Sequence, residues 1–176
     1  MTFWNDTDIP LAYLITFRTY GSWLPGDERG SIDRFNNKYL APRVAPNPIL
    51  ERQHRKKLKS NPVILNAAQR SVVDAAIREV CEHRDWILRA LNVRTHHAHA
   101  VVSIGPLKPF RALNAFKAYS TRRLREHDCW TYAHSPWVAG GSERWLWTED
   151  DVFRACDYVV NGQGADLGAF DKWAKS

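Results

Sequence analysis

Three histidines fall within four positions of "RTHHAHAVVSI", residues 94–104, at His96, His97 and His99. The apolar, partly β-branched run that follows has the composition of a strand. Side chains on a strand alternate between faces, so His97 and His99 share one face while Ala98, Ala100, Val102 and Ile104 share the other. Two imidazoles on a rigid element can hold a divalent ion, and an ion with few protein ligands keeps a position open for a phosphate oxygen. The same pair can also pack as a polar couple with no chemistry. Metal chemistry needs a third donor, and phosphodiester cleavage needs a nucleophile.

Two tyrosines on helical stretches offer that nucleophile. In the last helix, Val152, Phe153, Ala155, Cys156, Val159 and Val160 cluster on one side, and Tyr158 lies about 145° from the centre of the cluster. Tyr158 therefore projects away from the expected core-facing stripe. Tyr119 lies within about 60° of the stripe of Ala112, Leu113, Phe116 and Leu124, where a tyrosine packs with its hydroxyl at the edge.

The elements that must hold these groups follow from periodicity. "LAYLITFRT" alternates as a first strand, with Leu11, Tyr13, Ile15 and Phe17 on one face, and Pro25, Gly26 and Gly30 mark a loop after it. A long, proline-punctuated stretch then ends in the basic run "ERQHRKKLKS", which reads as a solvated helix face in preference to a nucleic-acid contact. Asn66 and Gln69 have capping-box spacing ahead of a helix that covers a sheet. "DWILRALNV" and "THHAHAVVSIG" meet at Arg94 and Thr95 as an antiparallel hairpin, which puts the histidine pair at the start of its second strand. Residues 110–127 form a second helix dense in positive charge, and "SERWLW" is a short strand. Thr148 and Asp151 cap a final helix that Gly162 stops. That order predicts an α+β fold, a ferredoxin-like split βαβ sheet with an added C-terminal helix, in a single domain over residues 1–176.

The chain carries 25 Lys and Arg against 19 Asp and Glu, a formal charge of +6, which favours an anionic partner such as nucleic acid. Its three cysteines are odd in number and contain no CxxC, so neither a disulfide framework nor a zinc-thiolate site is indicated, and a reducing cytoplasm fits. No apolar run is long enough to span a bilayer, and the acidic start "MTFWNDTDIP" is unlike a secretory signal; the expectation is a soluble protein with no membrane contact.

Taken together, "TFRTYGSWLPGDERGSIDR", "ALNVRTHHAHAVVSI", "FKAYSTRRLRE" and "RWLWTEDDVFRACDYVVNGQG" resemble the HUH single-strand endonucleases. Within them the likeness is to the single-tyrosine transposases of the insertion-sequence and REP-associated tyrosine transposase type. The histidine-hydrophobic-histidine core is His97, Ala98 and His99. The resemblance implies a homodimer with a ferredoxin-like core that nicks and rejoins hairpin-forming single-stranded DNA in a bacterial-type, nucleoid-associated setting. It implies a divalent cofactor, magnesium with manganese as a substitute, and no nucleotide cofactor. The nucleophile would be Tyr158 on the C-terminal helix, giving a 5′-phosphotyrosine and a free 3′-hydroxyl, and His97 and His99 would be metal ligands.

The chain also departs from the family pattern. His96 stands where relatives commonly have asparagine, and the residue between the ligands is only Ala98. Relatives place a Gln or Asn ligand four residues after the tyrosine, and Gly162 occupies that position here. Its neighbours Asn161 and Gln163 are the candidates: Asn161 lies about 60° from Tyr158 on the helix, whereas Gln163 reaches the ion only if the chain unwinds at Gly162. Gln163 is preferred. For DNA phosphates the candidates are Arg18, Lys117, Arg122, Arg123 and Arg125, with Trp23, Tyr20 or Trp147 stacking on bases. The departure at Gly162 also leaves open a domesticated, catalytically impaired relative that regulates by binding hairpin DNA.

Overall fold

The structure is a computed structural model that describes residues 8–28 and 45–164. Four strands, β1 (Ala12–Arg18), β2 (Ile87–Val93), β3 (His97–Ser103) and β4 (Ser142–Leu146), form one sheet in the order β2-β3-β1-β4 with every pair antiparallel. Helices α1 (Pro48–Lys56), α2 (Ala67–His83), α3 (Pro109–Glu126) and α4 (Glu149–Asn161) complete the chain order. Leaving α1 aside, this is the split βαβ arrangement, with the first and third strands in the centre and the second and fourth at the edges. The α+β fold expected from the sequence is the one found.

Alternation along β1 and β3 divides the interior in two. Tyr13, Ile15 and Phe17 with Ala98, Ala100 and Val102 meet Val73, Ile77 and Val80 of α2 and Ala112, Leu113 and Phe116 of α3 in the larger core. On the opposite face Ala12, Leu14, Ala90, Val101 and Leu146 meet Val152, Ala155 and Val159 of α4 in a smaller one. Two helices thus cover one face and a single helix the other.

The capping signals hold. Asn66 and Gln69 exchange side-chain to backbone hydrogen bonds at the start of α2, both 2.9 Å, and Thr148 and Asp151 do the same for α4 at 3.1 and 3.2 Å. The basic α1 buries no residue, so it is a solvated helix. One expectation needs correction. Phe153 and Val160 do not belong to the buried stripe of α4; they are 72% and 60% exposed. Among the described elements the helix rests chiefly on the sheet, so only the narrow strip Val152, Ala155 and Val159 is buried, with Cys156 half-buried beside it. Among the described residues no helix is long and apolar enough to cross a membrane.

Candidate active site

The strand register gathers the histidine pair and its supports at one end of the sheet. His97 lies opposite Arg18 of β1, and His99 lies between Thr16 of β1 and Asn92 of β2. All belong to the face that α4 covers, because His97 and His99 alternate with residues of the larger core. The two imidazole centroids are 4.6 Å apart and the rings are nearly perpendicular. Thr16 Oγ1 is 2.7 Å from His99 Nδ1. With Nδ1 protonated and donating to this hydroxyl, His99 keeps the lone pair of Nε2 for a ligand.

From the other side comes the end of α4. The Tyr158 ring stands 5.5 Å from the His99 ring, edge to face, while the residue remains 47% exposed. Helix α4 ends at Asn161, and Gln163 folds back so that its Oε1 lies 3.3 Å from His97 Nε2 while its Nε2 donates to the Tyr158 carbonyl at 3.1 Å. Gly162 makes this return possible by having no side chain: a Cβ there would come within 2.7 Å of the Tyr158 carbonyl oxygen and 3.0 Å of its ring. Its own backbone is right-handed, φ −87°, so space and not a left-handed conformation is the requirement. Asn161, the other candidate, instead donates to Asp157 at 2.8 Å on the exposed side. Tyr119 sits on the other face of the sheet, half-buried against the larger core with the Arg122 guanidinium over its ring at 4.5 Å.

Electrostatics keep the imidazoles neutral. Burial, opposed by the Gln163 hydrogen bond, pushes His97 below its ordinary value, and nearby Arg18 and Arg94 add to the depression. Burial first, and the adjacent His97 next, bring His99 down to about 3. Neutral imidazoles have lone pairs to give, so two ring nitrogens and one amide oxygen converge as a donor set that suits a borderline or hard divalent ion. Among the described residues no group of three or more His, Cys, Asp or Glu could hold a metal ion; what stands beside the two rings is the neutral amide of Gln163.

The cationic candidates separate by position. Arg18 shares the histidine face, with its guanidinium 3.9 Å above the Trp23 ring. The others lie on α3, across the sheet. Arg123 forms ion pairs with Glu79 of α2 and with Glu126, and these pairs hold the Glu79 carboxyl below its usual range. Lys117 donates to the carbonyls of Val138 and Gly140, and Arg125 to those of Tyr132 and Ala133. Those partners are neutral, so these hydrogen bonds do not cancel the positive charges. Together with Arg122, Lys117 and Arg125 line a shallow groove that also includes Asn114, Thr121 and the carboxylate of Glu126. Of the aromatic candidates, Tyr20 accepts a hydrogen bond from the Lys59 amide, and Trp147 tilts against Trp145 with centroids 5.6 Å apart.

Sequence reasoning missed Thr16 and Asn92. Strand register was the signal that could have found them, since both flank His99 once the hairpin and the central pair are aligned. It also missed the buried Arg70, whose Nη1 donates to the Leu65 carbonyl at 2.9 Å.

A ferredoxin-like sheet with a histidine pair on a central strand and a tyrosine-bearing helix against it defines the class of this protein. Residues 55–145, just over half of the chain, match the family model described as "Transposase IS200 like". The chain belongs to the IS200-like transposase family. The matched segment includes His97, His99 and the basic face of α3, begins after Arg18 and ends before α4. Among solved structures, a REP-associated tyrosine transposase bound to a REP hairpin is 15% identical, with a TM-score of 0.46, covering 90% of this chain and 70% of its own. A candidate transposase from Deinococcus radiodurans R1 is 14% identical, with a TM-score of 0.45, covering 94% of this chain and 100% of its own. No curated protein sequence matches.

Proposed function

We propose that this transposase nicks and rejoins hairpin-forming single-stranded DNA, with Tyr158 as nucleophile, as a homodimer of single-domain chains. One observation carries the reading: His97 and His99 from β3 meet Tyr158 and Gln163 from the end of α4, although some sixty residues separate them in the chain. Such convergence of two imidazoles, an amide and a phenol is what phosphodiester transfer through a tyrosine requires.

His97, His99 and Gln163 would hold a divalent ion, magnesium or manganese. When bound, that ion supplies Lewis-acid polarisation of a phosphate oxygen. The chain's own groups do the rest. The Tyr158 hydroxyl oxygen attacks phosphorus, losing its proton; the bond from phosphorus to the 3′ oxygen breaks, and that oxygen leaves as a 3′-hydroxyl after taking up a proton. The 5′ phosphate stays on Tyr158 as a diester, so attack by a second 3′-hydroxyl rejoins strands without a nucleotide cofactor. Arg18, on the same sheet face, would hold phosphate charge at the site, while Lys117, Arg122 and Arg125 would contact phosphates on the far side. Arg123 is the weakest member of that group, because carboxylates already neutralise it.

The test is incubation of the purified chain with hairpin oligonucleotides and magnesium or manganese, followed by denaturing electrophoresis. A denaturant-resistant protein–DNA adduct, lost on chelation, is expected. Tight hairpin binding with no adduct on any substrate would overturn the enzymatic reading in favour of a DNA-binding regulator.

A further inference from the structure

The turn that carries Tyr158 and Gln163 is the end of a helix, where the last carbonyls have no intrahelical donor. Of the carbonyls at this end, one is met from the capping turn and one from the sheet. The Tyr158 carbonyl accepts from the Gly162 amide at 3.0 Å and from the Gln163 side chain. The Val159 carbonyl accepts from Nδ2 of Asn92 at 2.9 Å. Asn92 is on β2, directly opposite His99 in the β2–β3 register. A single strand position thus lies beside the histidine pair and also holds the carbonyl next to Tyr158. Besides the contacts of Tyr158 and Gln163 with the histidines themselves, α4 is attached to the sheet by apolar contacts of Val152, Ala155 and Val159 with Cys156 beside them, which fix its distance from the sheet better than its rotation.

We propose that Asn92 is a positioning residue: its side-chain amide caps the Val159 carbonyl and so fixes the last turn of α4, with Tyr158 and Gln163, over the histidine pair. The role of Tyr158 in this inference rests on the function proposed above, whereas the clamp itself does not. Without the donor, the turn loses its only polar tie to β2 among the described residues, and the Tyr158 ring and the Gln163 amide lose their setting against His99 and His97.

Asn92→Leu tests this, since leucine is close in shape to asparagine and has no donor. In the full-length chain, backbone hydrogen exchange at Gly162 should speed up roughly five- to tenfold, and adduct formation should slow by a similar factor, as loss of one net hydrogen bond predicts. Hairpin affinity should stay near wild type and the thermal midpoint should fall by no more than about 2–4 °C, and Asn92→Gln, which keeps the amide, should recover much of both losses. Wild-type exchange and wild-type adduct rate in Asn92→Leu would overturn the proposal. So would a parallel fall in thermal midpoint, hairpin affinity and rate that Asn92→Gln does not relieve, since that marks a general packing role. If the wild type forms no adduct while Asn92→Leu still exchanges faster at Gly162, the enzymatic reading fails and the clamp stands.

Discussion

Tyr158 and Tyr119 differ in what surrounds their rings, and that difference makes them separable. Tyr158→Phe removes one oxygen and leaves the edge-to-face contact with His99, so hairpin binding should persist while the covalent adduct disappears. Tyr119→Phe leaves a ring under Arg122 on the far face and should form adduct as wild type does. Adduct lost only in Tyr119→Phe would move the nucleophile to α3. In the proposed reaction Thr16 would act one step further out. Its hydroxyl orients His99, so Thr16→Val should weaken manganese binding by about tenfold, measured by titration calorimetry, as loss of a ligand's outer hydrogen bond does. Unchanged affinity would leave Thr16 a packing residue. At this scale the histidine pair was legible because strand parity alone puts both rings on one face. Gln163 was legible only as one of two choices, since its return depends on the missing Cβ of Gly162 and on a carbonyl at the end of a helix, neither of which leaves a periodic trace.

Helix α3 holds most of the charged residues predicted to touch DNA, yet its arginines have different partners. Arg123 bridges α2 and α3 through Glu79, so Arg123→Ala should lower the thermal midpoint slightly and leave hairpin affinity and its salt dependence nearly unchanged. Along the groove Arg125 has neutral carbonyl partners, and Arg122 has a long, exposed ion pair with Glu126 at 3.7 Å. Neutralising both should weaken hairpin binding and lower the slope of log affinity against log salt by about one to two. An unchanged slope would make the groove a solvated face. Charge density along the helix was visible in the sequence. Which charges a neighbouring helix neutralises was not, because Glu79 and Arg123 are more than forty residues apart and only the packing of α2 on α3 brings them together. The width of the buried stripe on α4 was hidden for a related reason: periodicity tells which side of a helix is apolar, whereas the number of neighbours decides how much of that side is covered.

Across the whole molecule the fold puts the candidate site and most of the cations proposed to meet DNA on opposite faces of one sheet, a division set by the alternation of β1 and β3. Strand order followed from the order of elements, and the two cores followed from parity, so the place of the histidine pair was implicit in the chain even where its contact with Gln163 was not. The sheet also gives the metal-free protein a predictable acid response. Buried between α4 and the strands, His99 titrates at about 3 in the fold, against an ordinary value of 6.5. Above pH 6.5 both folded and unfolded chains hold it neutral, and its titration has no effect on stability. As pH falls through that value the unfolded imidazole takes up a proton that the native one refuses, so unfolding becomes easier by up to about 1.4 kcal/mol per pH unit. The loss should level off near pH 3, and the lowered His97 acts in the same direction. Urea unfolding in chelator at a series of pH values should therefore show wild-type stability falling between pH 6.5 and 4, with a shallower fall in His99→Gln. Parallel curves for the two proteins would mean that His99 is not held neutral by the fold, and the donor set proposed for the divalent ion would lose its electrostatic basis.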